Sequence, residues 1–535
     1  MTAQPANTET ELKLAVRPDD LRRLKDAPPL AGAARATART LDSVYYDTPD
    51  QELGRRRVTL RVRRQGQAFV QTLKSAADPA EGLARGEWEW PLAGPEPNLA
   101  RIDDVEAREL LGRIDPAALK PLFTCTVKRA IKVIDHDAAG ETARVEVAFD
   151  TGEIRTPEGA AMPVSEVELE LKAGEPVALY DLALRLHAVA PVRLEIRTKA
   201  ARGYALSAGT VVPGAVKAGR LTLKPDITVE GAMARIMRAC AAQIAANEGC
   251  AVDGRDPEGI HQMRVALRRL RSALSVFADQ IPADQLDLLV GEVKWLAGSL
   301  GAARDWDVFR EELLAPVHGA FADQPGLAAD LVLLNKAAEE AGVRGYAQAR
   351  EAILSPRYTA LLLRLGAWVE GRAWRDQPTS EDSAMLFQPV TELADRLLAK
   401  RHRKARKTGT GFDELSSHER HQVRIALKKL RYAVEFFQSL YDEKPVRRYG
   451  QEMAELQDAL GHLNDVATAT RLLARLHEDG HGSRDPEVQG AERRAAGIVI
   501  GWHARGLVDM EQRLCRDWER FADSKPFWSK PNRMA

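Results

Sequence analysis

The hydrophobic period of this chain changes at about residue 207, and this change constrains the fold more than any other feature. Before that point, apolar and polar residues alternate in short stretches, which is typical of β-strands with one buried face. After it, apolar residues recur at helical spacing as far as about residue 525. The stretch Ser207–Pro225, rich in glycine and proline, separates the two regions. The sequence therefore predicts two domains of different architecture.

We expect an α+β chain in which each domain has its own fold. The predicted boundaries are residues 1–206 for a mainly antiparallel β-domain with flanking helices, 207–225 for a linker, and 226–525 for an all-helical domain. Four scattered cysteines without a CxxC pair exclude a cysteine-rich zinc module and a disulfide scaffold. The N-terminus lacks a basic start and an apolar core, and no apolar stretch reaches about 18 residues. We therefore expect a cytoplasmic protein without a membrane span.

Charged residues line one complete face of most predicted strands. In the stretch Glu166–Lys172, alternation places three apolar residues on one face and four charged residues on the other. A single strand of this kind fits an antiparallel sheet with one solvated face. Here, however, the pattern recurs on six or seven strands, with carboxylates on some and basic residues on others. The other sets two residues apart are Glu9, Glu11 and Lys13; Arg61 and Arg63; Glu87 and Glu89; Glu195, Arg197 and Lys199.

This distribution of charge points to a metal and a phosphate chain as ligands. If the sheet closes into a barrel, paired carboxylates face paired guanidinium groups across a polar interior. Paired carboxylates suit hard divalent cations, and rows of arginine and lysine suit phosphoryl oxygens. The sequence contains neither a Walker A loop nor a kinase glycine loop, which excludes the common nucleotide-binding folds.

The motif Glu9-x-Glu11-x-Lys13 resembles the ExExK signature of the CYTH, or triphosphate tunnel metalloenzyme, family. Supporting matches follow in order along about 200 residues. They are Tyr45–Thr48, Leu60–Arg63, Lys74, Glu87-x-Glu89, Glu146 with Asp150, Glu166–Lys172 and Lys199–Tyr204. The resemblance implies an eight-stranded antiparallel tunnel and attack on a triphosphate that depends on Mg²⁺ or Mn²⁺.

The resemblance also implies a role for each matching residue. Catalysis is expected from Glu9, Glu11, Lys13, Glu168 and Glu170. The expected metal ligands are Glu9, Glu11, Glu168 and Glu170, with Glu87 and Glu89 near a second ion and Asp150 as a further tunnel acid. The expected phosphate-binding residues are Lys13, Arg61, Arg63, Lys74, Arg129, Lys199 and Arg202. The strand of Arg129 departs from the pattern, because Ile131 takes the place of a second basic residue.

The helical region contains an internal repeat. His261–Arg271 matches His421–Arg431 at an offset of 160 residues, and Leu300–Asp305 matches Leu460–Asp465 at the same offset. The two halves span about 226–375 and 383–525. On each repeated helix, basic side chains fall within roughly 80° of one another, and neither motif contains an acid. These stripes consist of His261, Arg264, Arg268 and Arg271, and of His421, Arg424, Lys428 and Arg431.

The duplicated basic helices resemble the CHAD domain over roughly residues 226–520. The resemblance implies two pseudo-symmetric helical bundles around a basic groove that binds inorganic polyphosphate. Both regions then share one ligand class, linear phosphate chains. The sequence predicts a metal-dependent inorganic triphosphatase that splits tripolyphosphate into pyrophosphate and phosphate, joined to a polyphosphate-binding domain.

Three alternatives remain open at this stage. The same tunnel serves adenylate cyclases and thiamine or nucleoside triphosphatases, which need a pocket for an organic group. A non-catalytic polyphosphate scaffold is the second alternative, although it gains nothing from carboxylates inside its cavity. Nucleic-acid binding is the third, but a net charge of zero and the lack of aromatic residues among the basic stripes argue against it. The sequence does not indicate an oligomeric state.

Overall fold

The computed structural model describes residues 7–33, 37–76, 78, 80–210, 212–478 and 485–529. Within these ranges, strands and short helices occupy the region before residue 208, as the alternating pattern predicts. The strands are β1 (Thr8–Val16), β2 (Thr37–Asp47), β3 (Val58–Gln65), β4 (Ala68–Ser75), β5 (Ala84–Leu92), β6 (Lys120–Ala138), β7 (Glu141–Arg155), β8 (Ala161–Ala173) and β9 (Val192–Leu194). The helices are α1 (Pro18–Lys25), α2 (Glu52–Arg55), α3 (Val105–Leu111), α4 (Val177–Val189) and α5 (Lys199–Ser207).

Eight of these strands form a closed antiparallel barrel. Their order is β5-β4-β3-β2-β6-β7-β8-β1, and β1 pairs again with β5 to close the sheet. At this closure Thr8, Glu9 and Thr10 lie opposite Gly86, Arg85 and Ala84. The short strand β9 pairs with the end of β1 outside the ring. The predicted eight-stranded antiparallel tunnel is confirmed.

Alternation along the strands separates an apolar exterior layer from a charged interior. Val167, Leu169 and Leu171 of β8 are buried in one core together with Leu12 and Leu14 of β1. Helices α1 and α4 cover this layer with their own apolar side chains. The intervening residues of both strands are charged, so the same alternation points their side chains into the barrel.

The remainder of the chain is helical. The helices are α6 (Val229–Ala246), α7 (Glu248–Asp253), α8 (Glu258–Val276), α9 (Ala283–Ser299), α10 (Gly301–Val308), α11 (Ala315–Ala320), α12 (Pro325–Leu354), α13 (Pro356–Glu370), α14 (Glu381–Met385), α15 (Val390–Thr408), α16 (Ser417–Phe437), α17 (Glu443–Glu478) and α18 (Pro486–Ala522), and a π-helix (Phe309–Leu314) joins α10 to α11. Short 3-10 turns lie at Pro28–Leu30, Leu99–Arg101, Pro116–Ala118, Ala278–Gln280, Ala373–Arg375, Phe412–Glu414, Gln438–Leu440 and Phe527–Ser529. Among the helices described, none is both long and apolar enough to cross a lipid bilayer.

The chain divides into two compact units. The first contains the chain up to Gly214 together with Ala245–Gly249 and Leu354–Arg375, and the second contains the rest. Helix α13 therefore groups with the barrel, although its sequence position lies within the predicted helical domain. Its Leu363 joins the core that α4 and the barrel strands form, and Gly366 lies directly against the ring of Tyr180.

Candidate active site

The barrel encloses a cavity of about 530 Å³ lined largely by charged side chains. Of the fourteen residues that the sequence predicts for the tunnel, twelve line this cavity. The two others, Asp150 and Arg202, lie behind its wall among buried ion pairs. Strand pairing explains the arrangement, because Glu11 lies opposite Glu170 and Lys13 lies opposite Glu168.

Cations neutralise the carboxylates at the closure of the barrel. The ammonium of Lys74 is 2.6 Å from Glu9 Oε2 and 2.9 Å from Glu87 Oε1. Arg85 donates to both Glu9 and Glu11, and Lys13 contacts Glu11. Burial alone raises the pKa of Glu9, but the charges of Lys74 and Arg85 outweigh it and hold that pKa well below its usual range.

A second ion network lies next to the first, on the neighbouring strands β6, β7 and β8. Arg129 donates to both oxygens of Asp150 and also contacts Glu168. The Lys199 ammonium is 2.7 Å from Asp150 and 2.9 Å from Glu168, and it also contacts Glu166. Burial disfavours charge on Glu168, yet Lys199 and Arg129 outweigh it and lower the pKa of this carboxyl. These cations therefore keep Glu168 ionised.

Lys199 reaches this network from a helix and not from a strand, which corrects our reading of the Glu195, Arg197 and Lys199 pattern. Strand β9 ends at Leu194, and α5 begins at Lys199. The Thr198 hydroxyl accepts a hydrogen bond of 3.0 Å from the Ala201 amide and caps the helix. One turn later Arg202 donates to Glu166, so its guanidinium points away from the cavity.

The arginines of β3 carry positive charge into the cavity. Arg61 lies 3.4 Å from Glu87 and 3.8 Å from Glu89. Arg63 donates to the Ser43 hydroxyl at 3.2 Å, and no described carboxylate lies within ion-pair distance of it. Burial, then the charges of Arg61 and Arg129, lower the pKa of Arg63 to about 10. A cation held near other cations is a favourable site for a phosphoryl anion.

In the helical region, the two basic stripes lie side by side on α8 and α16, which pack together. Burial lowers the pKa of Arg424 and of Lys428 on α16, and Arg268 of α8 lies close enough to both to lower it further. Arg264 donates to the Ala297 carbonyl at 2.9 Å, which fixes it beside this group. The Nε of Arg424 is buried and has no hydrogen-bond partner within the described part of the chain.

Two carboxylates accompany the stripes, although the basic motifs His261–Arg271 and His421–Arg431 contain no acid. Asp305 lies 3.9 Å from Arg264, and the charge of Asp465 acts on both Arg424 and Lys428. These aspartates end the second repeated motif, so the duplication supplies one acid to each stripe. Each stripe therefore has an acidic neighbour from outside its own motif. The positive charges still outnumber the acids.

The remaining residues of the stripes lie at their ends. Arg271 and Arg431 are both exposed, and Arg431 donates to Gln457 at 3.2 Å. Burial, followed by the nearby arginines, lowers the pKa of His261 and of His421. Both imidazoles are therefore neutral near pH 7, and positive charge in the stripes comes from arginine and lysine.

Comparison with known proteins decides the family. The CYTH domain model matches residues 7–204, and the CHAD domain model matches residues 235–474. The chain carries a CYTH domain followed by a CHAD domain. The barrel and its charged tunnel belong to the CYTH domain, and the basic stripes belong to the CHAD domain.

Individual relatives match one or both domains. An inorganic triphosphatase of Haemophilus influenzae is 32% identical over 168 residues, which is 31% of this chain and 46% of that protein. An uncharacterized protein of Mycobacterium tuberculosis is 28% identical over 414 residues, or 73% of this chain and 75% of that protein. The crystal structure of the CHAD domain from the plant Ricinus communis is 31% identical, with a TM-score of 0.48, and the match covers 57% of this chain and 96% of that one. The chain thus spans less than half of the Haemophilus protein.

Sequence reasoning assigned no role to four charged residues that line the CYTH tunnel. They are Arg39, Arg85, Glu146 and Lys172. The alternation of charged residues along the strands could have identified them. Arg85 precedes Glu87 by two residues, and Lys172 follows Glu170 by two. Arg39 lies on β2 opposite Arg129, and among described residues it makes no ion pair.

The carboxylates of the CYTH tunnel fit a divalent cation. One group of acids, Asp150, Glu166 and Glu168, has oxygens within 4.8 Å of one another. Basic side chains engage this group, and only Glu168 of the three lines the cavity. The predicted ligands Glu9, Glu11, Glu168 and Glu170 all line it. Carboxylate oxygens are the donors that Mg²⁺ prefers, so this set suits the metal.

Proposed function

We propose that the CYTH domain hydrolyses inorganic triphosphate to pyrophosphate and phosphate with Mg²⁺ or Mn²⁺, and that the CHAD domain binds inorganic polyphosphate. One observation carries the first part: a single cavity combines several carboxylates with two arginines, Arg39 and Arg63, that have no carboxylate within ion-pair distance among the described residues. A pure anion-binding site needs only the arginines, and a pure metal site needs only the carboxylates. The name of the Haemophilus relative supports the same activity.

The tunnel residues divide into two roles under this proposal. Glu9, Glu11, Glu168 and Glu170 hold the metal, which when bound neutralises phosphoryl oxygens and lowers the pKa of water. Arg61, Arg63 and Lys74, with Lys13 and Arg129, bind the phosphate chain and orient its terminal phosphorus. Arginine suits this task because its planar fork donates to two oxygens of one phosphoryl group. Most of these side chains are buried in the barrel, which strengthens their interactions with a charged ligand.

A substrate panel tests the reaction. Phosphate release is measured from tripolyphosphate, pyrophosphate, ATP, thiamine triphosphate and long-chain polyphosphate, each with Mg²⁺, with Mn²⁺ and with excess chelator. We expect tripolyphosphate to be the preferred substrate and chelator to abolish release. Preferred turnover of ATP or thiamine triphosphate, or formation of a cyclic nucleotide, would contradict the proposal. No turnover of any substrate would favour a scaffold that only binds polyphosphate.

The CHAD proposal rests on the cationic group formed by Arg268, Arg424 and Lys428. Cations from two neighbouring helices can contact several phosphoryl groups of one linear polyanion at the same time. We expect the double variant Arg268→Gln, Arg424→Gln to bind long-chain polyphosphate at least about tenfold more weakly, because each charge-assisted hydrogen bond contributes about 1.5–3 kcal/mol. Lys429→Gln, on the exposed neighbouring position of α16, is the matched control. Competition by RNA at equal phosphate concentration would contradict a preference for polyphosphate.

A shared ligand class explains why the two domains occur in one chain. We infer that the CHAD domain retains polyphosphate and thereby supplies chains to the tunnel. The Arg268→Gln, Arg424→Gln variant is then expected to hydrolyse tripolyphosphate normally while losing turnover of any longer chains that the wild type cleaves. Equal turnover of long chains by the variant and the wild type would show that the domains act separately.

A further inference from the structure

The guanidinium of Arg85 contacts both carboxylates of the Glu9 and Glu11 pair. Its Nε and Nη2 each lie 2.9 Å from Glu9 Oε2, and Nη2 also donates to Glu11. Strand pairing imposes this contact, because Arg85 on β5 lies directly opposite Glu9 on β1 where the barrel closes. All three side chains are about nine-tenths buried and line the cavity.

A divalent cation needs the oxygens that Arg85 holds. Hard cations bind carboxylate oxygens directly, so a guanidinium hydrogen-bonded to the same oxygens competes with them for the same positions. Two positive charges on one carboxylate pair also repel each other strongly in a partly buried site. A cation that binds both carboxylates through Glu9 Oε2 and Glu11 Oε1 therefore displaces the guanidinium from these two oxygens.

We propose that Arg85 is a built-in counter-ion of the metal site, which neutralises Glu9 and Glu11 in the metal-free protein and must release them when a divalent cation binds. This inference rests on the proposed function, because it takes Glu9 and Glu11 as metal ligands. Once released, the fork of Arg85 is available to the phosphoryl oxygens that enter the same cavity. Metal alone then binds weakly, and metal with the phosphate chain binds tightly.

Arg39 provides a matched comparison within the same cavity. It carries the same charge and lines the same cavity, although from β2 and in a more exposed position, and no described carboxylate lies within ion-pair distance of it. Removing Arg39 changes the electrostatic potential of the tunnel without freeing a metal ligand. Removing Arg85 changes the potential and also frees the Glu9 and Glu11 oxygens. The difference between the two variants therefore measures the competition between Arg85 and the metal for these oxygens.

The test is Mn²⁺ binding to the full chain without substrate, followed through the electron paramagnetic resonance signal of free Mn²⁺. For Arg85→Gln we expect the dissociation constant of Mn²⁺ to fall at least about fivefold below that of the wild type. Arg39→Gln stays near the wild type, and Arg85→Lys lies between, because lysine keeps the charge but lacks the fork. Thermal unfolding adds a second readout: Mn²⁺ raises the Tm of Arg85→Gln more than that of the wild type.

Unchanged or weaker Mn²⁺ binding by Arg85→Gln would overturn the inference, as would equal tightening by Arg39→Gln. If Arg85→Gln does not fold without metal, Arg85→Lys compared with the wild type decides in the same way. Mn²⁺ affinity that does not change with the residue at position 85 overturns only this inference and does not contradict the proposed hydrolysis. A complete lack of Mn²⁺ binding by every variant overturns both this inference and the metal dependence of the proposed function.

Discussion

Arg129 forms a two-pronged ion pair with Asp150 in the wall of the tunnel, with Nε 2.8 Å from Oδ1 and Nη2 2.6 Å from Oδ2. Asp150 is completely buried, and Lys199 adds a second cation at 2.7 Å. The family resemblance assigns Arg129 to phosphate and Asp150 to metal; in this structure Asp150 lies behind the cavity wall and pairs with Arg129, which still lines the cavity. Asp150 therefore acts first as an anchor that orients two cations.

Asp150→Asn tests this anchoring role. The substitution keeps the shape of the side chain but leaves Arg129 and Lys199 with less compensating charge in a buried position. We expect the free energy of unfolding to fall by about 3–5 kcal/mol, measured by chemical denaturation. Glu153→Gln is the control on the same strand, because its ion pair with Arg155 is exposed and contributes less than about 1 kcal/mol. Equal losses in both variants would contradict the account.

Arg63→Gln is expected to impair the tunnel without unfolding it. Arg63 has no carboxylate partner among the described residues, so its removal leaves no buried acid unpaired. Loss of one donor to the phosphate chain should reduce kcat/KM for tripolyphosphate by about 100-fold. Arg64→Gln removes the neighbouring arginine, which is exposed and bonded to the Gly66 carbonyl, and should change little. Steady-state kinetics on both variants checks the prediction, and similar values would refute it.

Polyphosphate binding by the CHAD domain should weaken as the pH rises. Burial, together with Arg424 and Arg268, lowers the pKa of Lys428 to about 7, while Asp465 opposes this shift. Lys428 is charged below this value and neutral above it, and a bound polyanion favours the charged form. Binding therefore takes up a proton above pH 7, and affinity should fall by up to about tenfold per pH unit.

Lys428→Arg provides the control for this pH dependence. Arginine stays charged throughout the accessible pH range, so affinity for polyphosphate should become nearly independent of pH between 6 and 9. Binding titrations at several pH values, with ionic strength held constant, measure both proteins. A wild type whose affinity does not change over this range would show that Lys428 remains protonated without ligand.

Helix α13 should tolerate no side chain at Gly366. An added Cβ there would lie 2.1 Å from the ring of Tyr180 on α4, so Gly366→Ala forces the two helices apart. We expect a loss of about 1–3 kcal/mol in stability. Gly291→Ala, in the middle of α9 with open space around it, should instead stabilise by up to about 1 kcal/mol. Thermal denaturation of the two variants should give shifts of opposite sign.

Alternation in the sequence predicted the barrel interior well, because a period of two decides which face of a strand each residue occupies. It therefore brought Glu9, Glu11, Arg61 and Glu168 into one cavity without knowledge of strand order. Arg85 was not predicted as a site residue because it belongs to none of the family motifs. Its contact with Glu9 arises from the pairing of β1 with β5. That pairing joins strands about 75 residues apart in sequence and appears only when the barrel closes.

The position of Lys199 shows where the pattern misled. Glu195, Arg197 and Lys199 alternate as a strand would, but Thr198 is a favourable helix cap and Ala200 and Ala201 favour a helix after it. Local capping decided the structure there. The packing of α13 against α4 could not be predicted either, because the apolar face of a helix does not indicate which element it packs against.

The most direct test of the account compares tripolyphosphate hydrolysis by the wild type and by Glu9→Gln, Glu11→Gln. The double variant keeps the shape of the tunnel wall and removes two carboxylate charges from the metal site. The account predicts metal-dependent phosphate release by the wild type. In the variant it predicts a rate at least about 1,000-fold lower, because the metal loses two carboxylate ligands and no longer neutralises the phosphoryl oxygens. Equal release by a folded variant would contradict the assignment of this cavity as the active site.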